Sequence, residues 1–454
     1  MATEVRTGKR RWAVQLLVLW GVQLVDVLVV TSVTPAIPAM VADTGAPRGA
    51  ATLVAASAAM VFAGLLLLSA RLGDRYGHRR ILLVGLAVFG LAALTGGAAH
   101  SIGQVVAARI GQGAAAALCV PAAMWVLLRL SPQPGRRRTA LAGWSAGGAV
   151  AGVLGYVVGG GLTQALSWHW VFWINVPVTV VLIVGVVLLL PADPADRAVR
   201  LDVWGAVLLT AAIMAIVGAA SILQDGLVVI GSTGLLVGVV LGASFAVQQR
   251  AVQQRAVQQR RAAEPLIPRD ARRDAGLRTG VAVSFVNTAT TSGIAIVVVL
   301  LLQNDLGLSP ATAAVVMMPL SGAVVIGSVL SRLPAMTSSS LRPTVLGLLA
   351  IAAGGLILAV RHDRIPVIVV AISIAGVGLG LASVGATSIG TASTTGSSAL
   401  GLLNTAAQLG NALGVAALLG STALPGVGFL AVTVAGLATA VRVRRSAQRG
   451  AASA

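Results

Sequence analysis

The chain has 454 residues, 57% hydrophobic and 10% charged, with a mean hydropathy of +0.93 and a formal net charge of +19. Soluble domains carry about 25% charged residues, so this composition excludes a water-dissolved domain and makes lipid the natural solvent. A single cysteine, Cys119, excludes a disulfide scaffold or a cysteine-based metal centre.

A bilayer core about 30 Å thick needs roughly 20 apolar residues per helix. Runs of that length are predicted in chain order at 12–36, 50–70, 80–99, 103–128, 139–163, 170–190, 203–223 and 227–247. They continue at 279–302, 310–331, 343–360, 365–386, 398–421 and 425–441, giving fourteen spans. Many are rich in Val and Ile, but they are twice the length of a barrel strand. Backbone groups in lipid must be satisfied within the segment, so the spans are predicted to be helices. The first span follows a basic leader (Arg6, Lys9, Arg10, Arg11) that mimics a signal peptide. Its length, with Asp26, Pro35 and Pro38 inside it, predicts an uncleaved helix.

Charge sets the orientation. With both termini cytoplasmic, 28 of the 32 Lys and Arg residues fall on the inner side and 3 on the outer, with Arg109 inside a span. That asymmetry is what the positive-inside rule predicts. The net charge is thereby a topological signal, and no nucleic-acid partner is expected. The chain's centre carries three tandem Ala-Val-Gln-Gln-Arg copies at 246–260. A period of five does not match 3.6, so the arginines spiral around a helix. They are expected to form a soluble extension of span eight; contact with anionic headgroups, at about 1 kcal/mol per arginine, is the alternative.

No H-E-x-x-H and no G-x-x-x-x-G-K-[ST] occurs, and the four histidines (His78, His100, His169, His362) lie at span ends. Neither enzymatic activity, nor a metal, nor a cofactor is expected, and uphill transport would draw on an ion gradient or a partner. Ionisable residues inside a membrane default to a functional reading. Asp26 is the only acid well inside a span and Arg109 the only base. At 1.5 Å per residue they lie roughly 15 Å and 9 Å below the same outer surface, so they are expected to meet. Such a pair either exchanges a proton as conformation changes or holds two helices in place.

Other polar groups fall in stripes: Gln15, Gln23 and Asp26 in span one, Gln112 one turn past Arg109, and Asn404, Gln408 and Asn411 in span thirteen. Amides facing lipid would be unsatisfied, so these faces turn toward a cavity or another helix. Span five carries Gly143, Gly147, Gly148, Gly152, Gly155, Gly159 and Gly160, a small-residue face that admits close helix approach or sliding.

These motifs together resemble the major facilitator superfamily, specifically its fourteen-span drug:proton antiporters. Leu72-Gly73-Asp74-Arg75-Tyr76-Gly77-His78-Arg79-Arg80 is similar to the loop 2–3 signature G-x-L-a-D-r-x-G-r-k. Arg109-Ile110-Gly111-Gln112-Gly113 matches R-x-x-q-G of span four, and Asp26 with Pro35 fits the first-span pattern, with Thr31 in place of Asn. Gly155-Tyr156-Val157-Val158-Gly159-Gly160 resembles the antiporter ending G-P-x-x-G-G, with Tyr156 replacing the proline. Trp168-His169-Trp170, Phe172, Asn175 and Pro177 resemble the opening of span six, and Leu402-Leu403-Asn404-Thr405 with Gln408-Leu409-Gly410 the pattern of span thirteen.

The resemblance implies an all-α integral membrane fold of two six-helix bundles, at 12–190 and 279–441, with two inserted helices at 203–247. A tail precedes them at 1–11, a basic linker with the repeats occupies 248–278, and a second tail 442–454. It implies proton-coupled export of hydrophobic drugs, antibiotics or natural products by alternating access. Asp26 would carry the proton and Arg109 would tune it; Asp74, Arg75, Gly77 and Arg79 would gate the cytoplasmic side, with Asp74 meeting a helix end. Gln23, Gln112, Met317, Asn404 and Gln408 are the expected cavity residues. The implied partners are a small hydrophobic substrate, protons and membrane lipids, with a monomer as the working unit in a bacterial plasma membrane. Transport of a metabolite or lipid without antiport stays open, as does a receptor or scaffold built on a transporter fold.

Overall fold

The computed structural model describes residues 2–47, 49–193, 201–258, 274–337, 341–391, 397–419 and 425–452. Its long helices are α1 (Ala2–Val33), α2 (Ala50–Tyr76), α3 (His78–Gly97), α4 (Ile102–Arg129), α5 (Pro134–Ala165), α6 (Asn175–Leu189), α7 (Val203–Gln224) and α8 (Val228–Gln258). They continue as α9 (Ala275–Leu300), α10 (Pro310–Leu330), α11 (Leu341–Val360), α12 (Ile365–Gly390), α13 (Ser397–Leu419) and α14 (Pro425–Ala452). Among the described residues, thirteen helices are long and apolar enough to cross a membrane, and Ala50–Leu66 within α2 is a shorter apolar stretch.

Local chemistry sets where these helices start. Ser101, Asp202, Asp274 and Ser309 each accept a backbone N–H in the first turn of α4, α7, α9 and α10, satisfying a donor that has no partner within the helix. Proline stands at the first turn of α5, α10 and α12, where its missing N–H costs nothing. Between α2 and α3 the chain reverses through Gly77 at φ +92, a conformation that a side chain would strain.

Packing repeats itself. In the first six helices α1 lies on α5, and α2 and α3 both lie on α4. In the last six, α9 lies on α13, and α10 and α11 both lie on α12. The two bundles meet reciprocally, α2 against α13 and α5 against α10. This is the arrangement of two related halves about an approximate two-fold axis. Helix α7 packs on α2, and α8 packs on α7. At the end of α8, Gln248 and Gln249 of the first Ala-Val-Gln-Gln-Arg copy both donate to the carboxylate of Asp202, which also caps α7. The repeat segment thus begins as a docked helix that continues to Gln258.

One end of the structure is basic. There Trp12 Nε1 donates to Ser131 Oγ at 3.2 Å, Gln15 to the Leu189 carbonyl at 2.8 Å, and Arg79 to the Val187 carbonyl at 2.7 Å. At the far end Trp168 donates to Asp43 at 3.0 Å and Trp173 to the Gly97 carbonyl at 2.8 Å.

Candidate functional site

Two cavities lie where the bundles meet. The first, about 210 Å³, is bordered by Asp26 of α1, Phe62 of α2, Phe89 of α3, Gln112 and Cys119 of α4, and Gln408 of α13. The second, about 200 Å³, is bordered by Arg109 of α4, Tyr156 of α5, Thr291 of α9, Ser321 of α10 and Leu379 of α12. Val30, Thr31 and Asn411 border both. Each cavity draws on both bundles, so movement of one bundle against the other reshapes both.

Arg109 is 1% exposed. Its Nε donates to the Val54 carbonyl at 3.3 Å, and its Nη1 to Gln112 Oε1 at 3.0 Å and the Val29 carbonyl at 3.5 Å. The expected ion pair with Asp26 is absent among the described residues, where Asp26 has no hydrogen-bond or salt-bridge partner. The reason is directional: Arg109 turns toward the carbonyls of α1 and α2, and Gln112, three residues on, supplies its other acceptor. Asp26 faces one cavity and Arg109 the other, with Gln112 between them.

The glycine face of α5 divides its labour. A Cβ on Gly155 would meet the Thr31 hydroxyl, and one on Gly159 the Ser32 carbonyl, so both admit α1. A Cβ on Gly160 would lie 2.6 Å from both the Ala314 Cβ and the Pro310 carbonyl, so Gly160 admits α10 of the other bundle. Tyr156, between them in sequence, is 4% exposed and borders the Arg109 cavity. Hydrogen bonds join the bundles here and toward the far end. Ser321 donates to the Gly152 carbonyl at 2.9 Å, the Ala311 N–H to Gln164 Oε1 at 3.3 Å, and Gln303 to the Pro35 carbonyl at 2.9 Å.

At the basic end the turn between α2 and α3 is held by an acid outside the motif. Asp193 accepts the backbone N–H groups of His78 and Arg79, and lies 3.3 Å from His78 Nδ1. His78 stacks on Trp125 with ring centroids 4.0 Å apart, and its Nε2 is 3.6 Å from Asp74. Among the contacts seen, the acid that meets a helix end is therefore Asp193; Asp74 faces His78, one turn along. Arg75 lies over the Tyr76 ring, 5.4 Å from its centroid.

The remaining expected cavity residues separate. Gln112 and Gln408 border the Asp26 cavity. Met317 borders neither of these cavities: it is 0% exposed within the hydrophobic core, its flexible side chain filling space between helices. Gln23 and Asn404 also border neither cavity. Gln23 sits against Gly148 of α5, whose Cβ position is 3.2 Å from Nε2. Asn411, a stripe member not singled out for the cavity, borders both. Also missed was Asn287, which donates to Ser383 Oγ at 2.8 Å and sits in the polar run 287–292 of an otherwise apolar helix. That run was the available signal.

Residues 19–415 match the sequence model of the Major Facilitator Superfamily. The chain is similar to the puromycin resistance protein pur8 of Streptomyces alboniger, 32% identical over 422 residues, 90% of this chain and 81% of that one. It is similar as well to the probable actinorhodin transporter of Streptomyces coelicolor, 32% identical over 445 residues, 90% of this chain and 72% of that one. A solved structure of a peptide transporter, POT in complex with sulfate, shares the fold with a TM-score of 0.70 at 14% identity, covering 96% of this chain and 94% of that one.

Proposed function

This chain belongs to the major facilitator superfamily, and we propose that it exports hydrophobic, antibiotic-like molecules in exchange for protons. It is a multi-pass membrane transporter. Asp26 is the observation that carries proton exchange: a carboxylate bordering a cavity between bundles, bound to nothing among the described residues. An acid so placed is available to a proton or to a substrate in turn, the condition for antiport. Arg109 tunes that site through Gln112, whose amide it fixes from the far cavity.

The proposal takes fourteen spans with both termini in the cytoplasm of a bacterium, supported by 28 of 32 basic residues falling on one side. The far end, where Gln303 and Ala311 tie the bundles together, is then the closed outer side. The turn carrying Asp74, Arg75, Gly77 and Arg79 gates the inner side; Gly155 and Gly159 seat α5 on α1, and Gly160, packed on α10 of the other bundle, lets the bundles rock. A monomer holds the whole pathway.

The test is intravesicular pH in inverted vesicles, energised and then challenged with lipophilic antibiotics. Compound-dependent alkalinisation that is lost in Asp26→Asn is expected; its persistence in that variant would remove Asp26 from coupling. Tyr156 in place of the motif proline favours a second reading, transport without proton exchange. Flux that ignores an imposed pH gradient would select it.

A further inference from the structure

Tyr156 has no role in the export cycle as described above, yet its surroundings are built for recognition. It is 4% exposed and borders the Arg109 cavity, and its hydroxyl has no hydrogen-bond partner among the described residues. A buried phenol ordinarily finds a partner. Four of the hydroxyls around it are already committed. Thr31 donates to the Val27 carbonyl at 3.0 Å, Thr34 to Val30 at 3.0 Å, Thr291 to Asn287 at 2.7 Å and Ser321 to Gly152 at 2.9 Å. Each keeps only lone pairs for a ligand.

Donors remain on four residues, one of them Ser292, whose hydroxyl makes no hydrogen bond among the described residues. The Tyr156 O–H is free of the protein, Asn411 presents an amide, and the hydrogen bonds of Arg109 use Nε and Nη1, leaving Nη2. No acidic residue borders this cavity. A pocket with one positive charge and unmatched donors complements an oxygen acceptor: a carboxylate, a phenolate or a conjugated carbonyl. An apolar cavity of about 150 Å³ holds benzene, so this one of about 200 Å³ admits one substituted ring. Through Val30, Thr31 and Asn411 it adjoins the Asp26 cavity, so one molecule reaches both.

We infer that the Arg109–Tyr156 cavity is a substrate subsite for an oxygen-acceptor group, with Tyr156 as the specificity-determining donor. The exported molecule then carries an oxygenated ring for this subsite, and a lipophilic cation without acceptors would engage the Asp26 cavity alone. The inference rests on the export reading and names the substrate class for it.

Equilibrium binding of two probes to the full-length protein in lipid nanodiscs tests it. Anthraquinone-2-carboxylate offers acceptors; tetraphenylphosphonium offers none. Tyr156→Phe keeps the ring and removes the hydroxyl, and is expected to weaken anthraquinone-2-carboxylate binding about tenfold. Tetraphenylphosphonium binding should not change, which also reports an intact fold. Unchanged carboxylate binding in the variant, or equal loss of both probes, overturns the subsite. Binding of tetraphenylphosphonium alone by the wild-type protein overturns it too, while leaving export standing. Binding of neither probe overturns the subsite, and export is then judged by the vesicle assay alone.

Discussion

Arg109 Nη1 donates to Gln112 Oε1 at 3.0 Å, so a buried cation holds an amide that borders the cavity of Asp26. Gln112 has its oxygen turned to Arg109, while its Nε2 is buried without a hydrogen bond. The residue borders the Asp26 cavity, which places that unmatched donor beside the acid's environment. Any rotation of Arg109 must therefore move Gln112, and with it the wall of the neighbouring cavity.

Replacing Gln112 with leucine takes an acceptor from a charged donor. Bonds to charged groups contribute about 1.5–3 kcal/mol, so Gln112→Leu should lower stability by about 2 kcal/mol. Thermal unfolding of the purified protein measures this, and Gln112→Glu, which restores an acceptor oxygen, should recover most of the loss. Equal melting of wild type and Gln112→Leu would show that Arg109 is held by the carbonyls alone.

Two glycines on α5, two residues apart, should differ sharply. A Cβ at Gly159 collides with the Ser32 carbonyl on the neighbouring backbone, whereas one at Gly161 meets nothing within 4 Å. Backbone cannot yield as a flexible side chain can. Gly159→Ala is expected to reduce folded, monodisperse protein severalfold on size-exclusion chromatography, while Gly161→Ala matches wild type.

Gly160 separates folding from bundle closure, because its neighbours Pro310 and Ala314 belong to the other half. Gly160→Leu should fold and wedge the halves apart at the far end. Spin labels at Gln164 and Ala311, whose groups touch at 3.3 Å in this structure, should report a longer distance distribution, with export abolished. An unchanged distribution would show that closure tolerates the added bulk.

Asp193 accepts two backbone N–H groups at the start of α3, a capping role of about 1–2 kcal/mol. Asp193→Ala should lower the melting temperature by several degrees and speed protease cleavage after Arg79 and Arg80. Asp193→Asn, which keeps an acceptor, should lose less.

Helix positions were legible because lipid demands long apolar runs, and the runs are nearly all there is between charged punctuation. Depth was legible too, since 1.5 Å per residue fixes height along a helix. Azimuth was not. Asp26 and Arg109 each border a cavity between the bundles, yet height alone could not show that Arg109 turns toward Val54 and Val29. The same limit explains span thirteen, where Gln408 and Asn411 reach a cavity and Asn404, one turn earlier, does not. Softness suits a varied ligand and a crowded helix contact equally, and Met317 is found in the second setting. Asp193 left no signal, lying 115 residues from the His78 backbone it caps, in a loop with nothing periodic about it.

The clamp between Asp202 and the glutamine pair at 248–249 has a consequence for the length of the repeat. Each further five-residue copy advances the helix about 7.5 Å and turns it about 140°. A second glutamine pair therefore cannot reach the same carboxylate, and among the described residues it is the first copy that is anchored there. Adding or removing a later copy would change the chain past the anchor and leave the Asp202 clamp, with the helices it joins, in place.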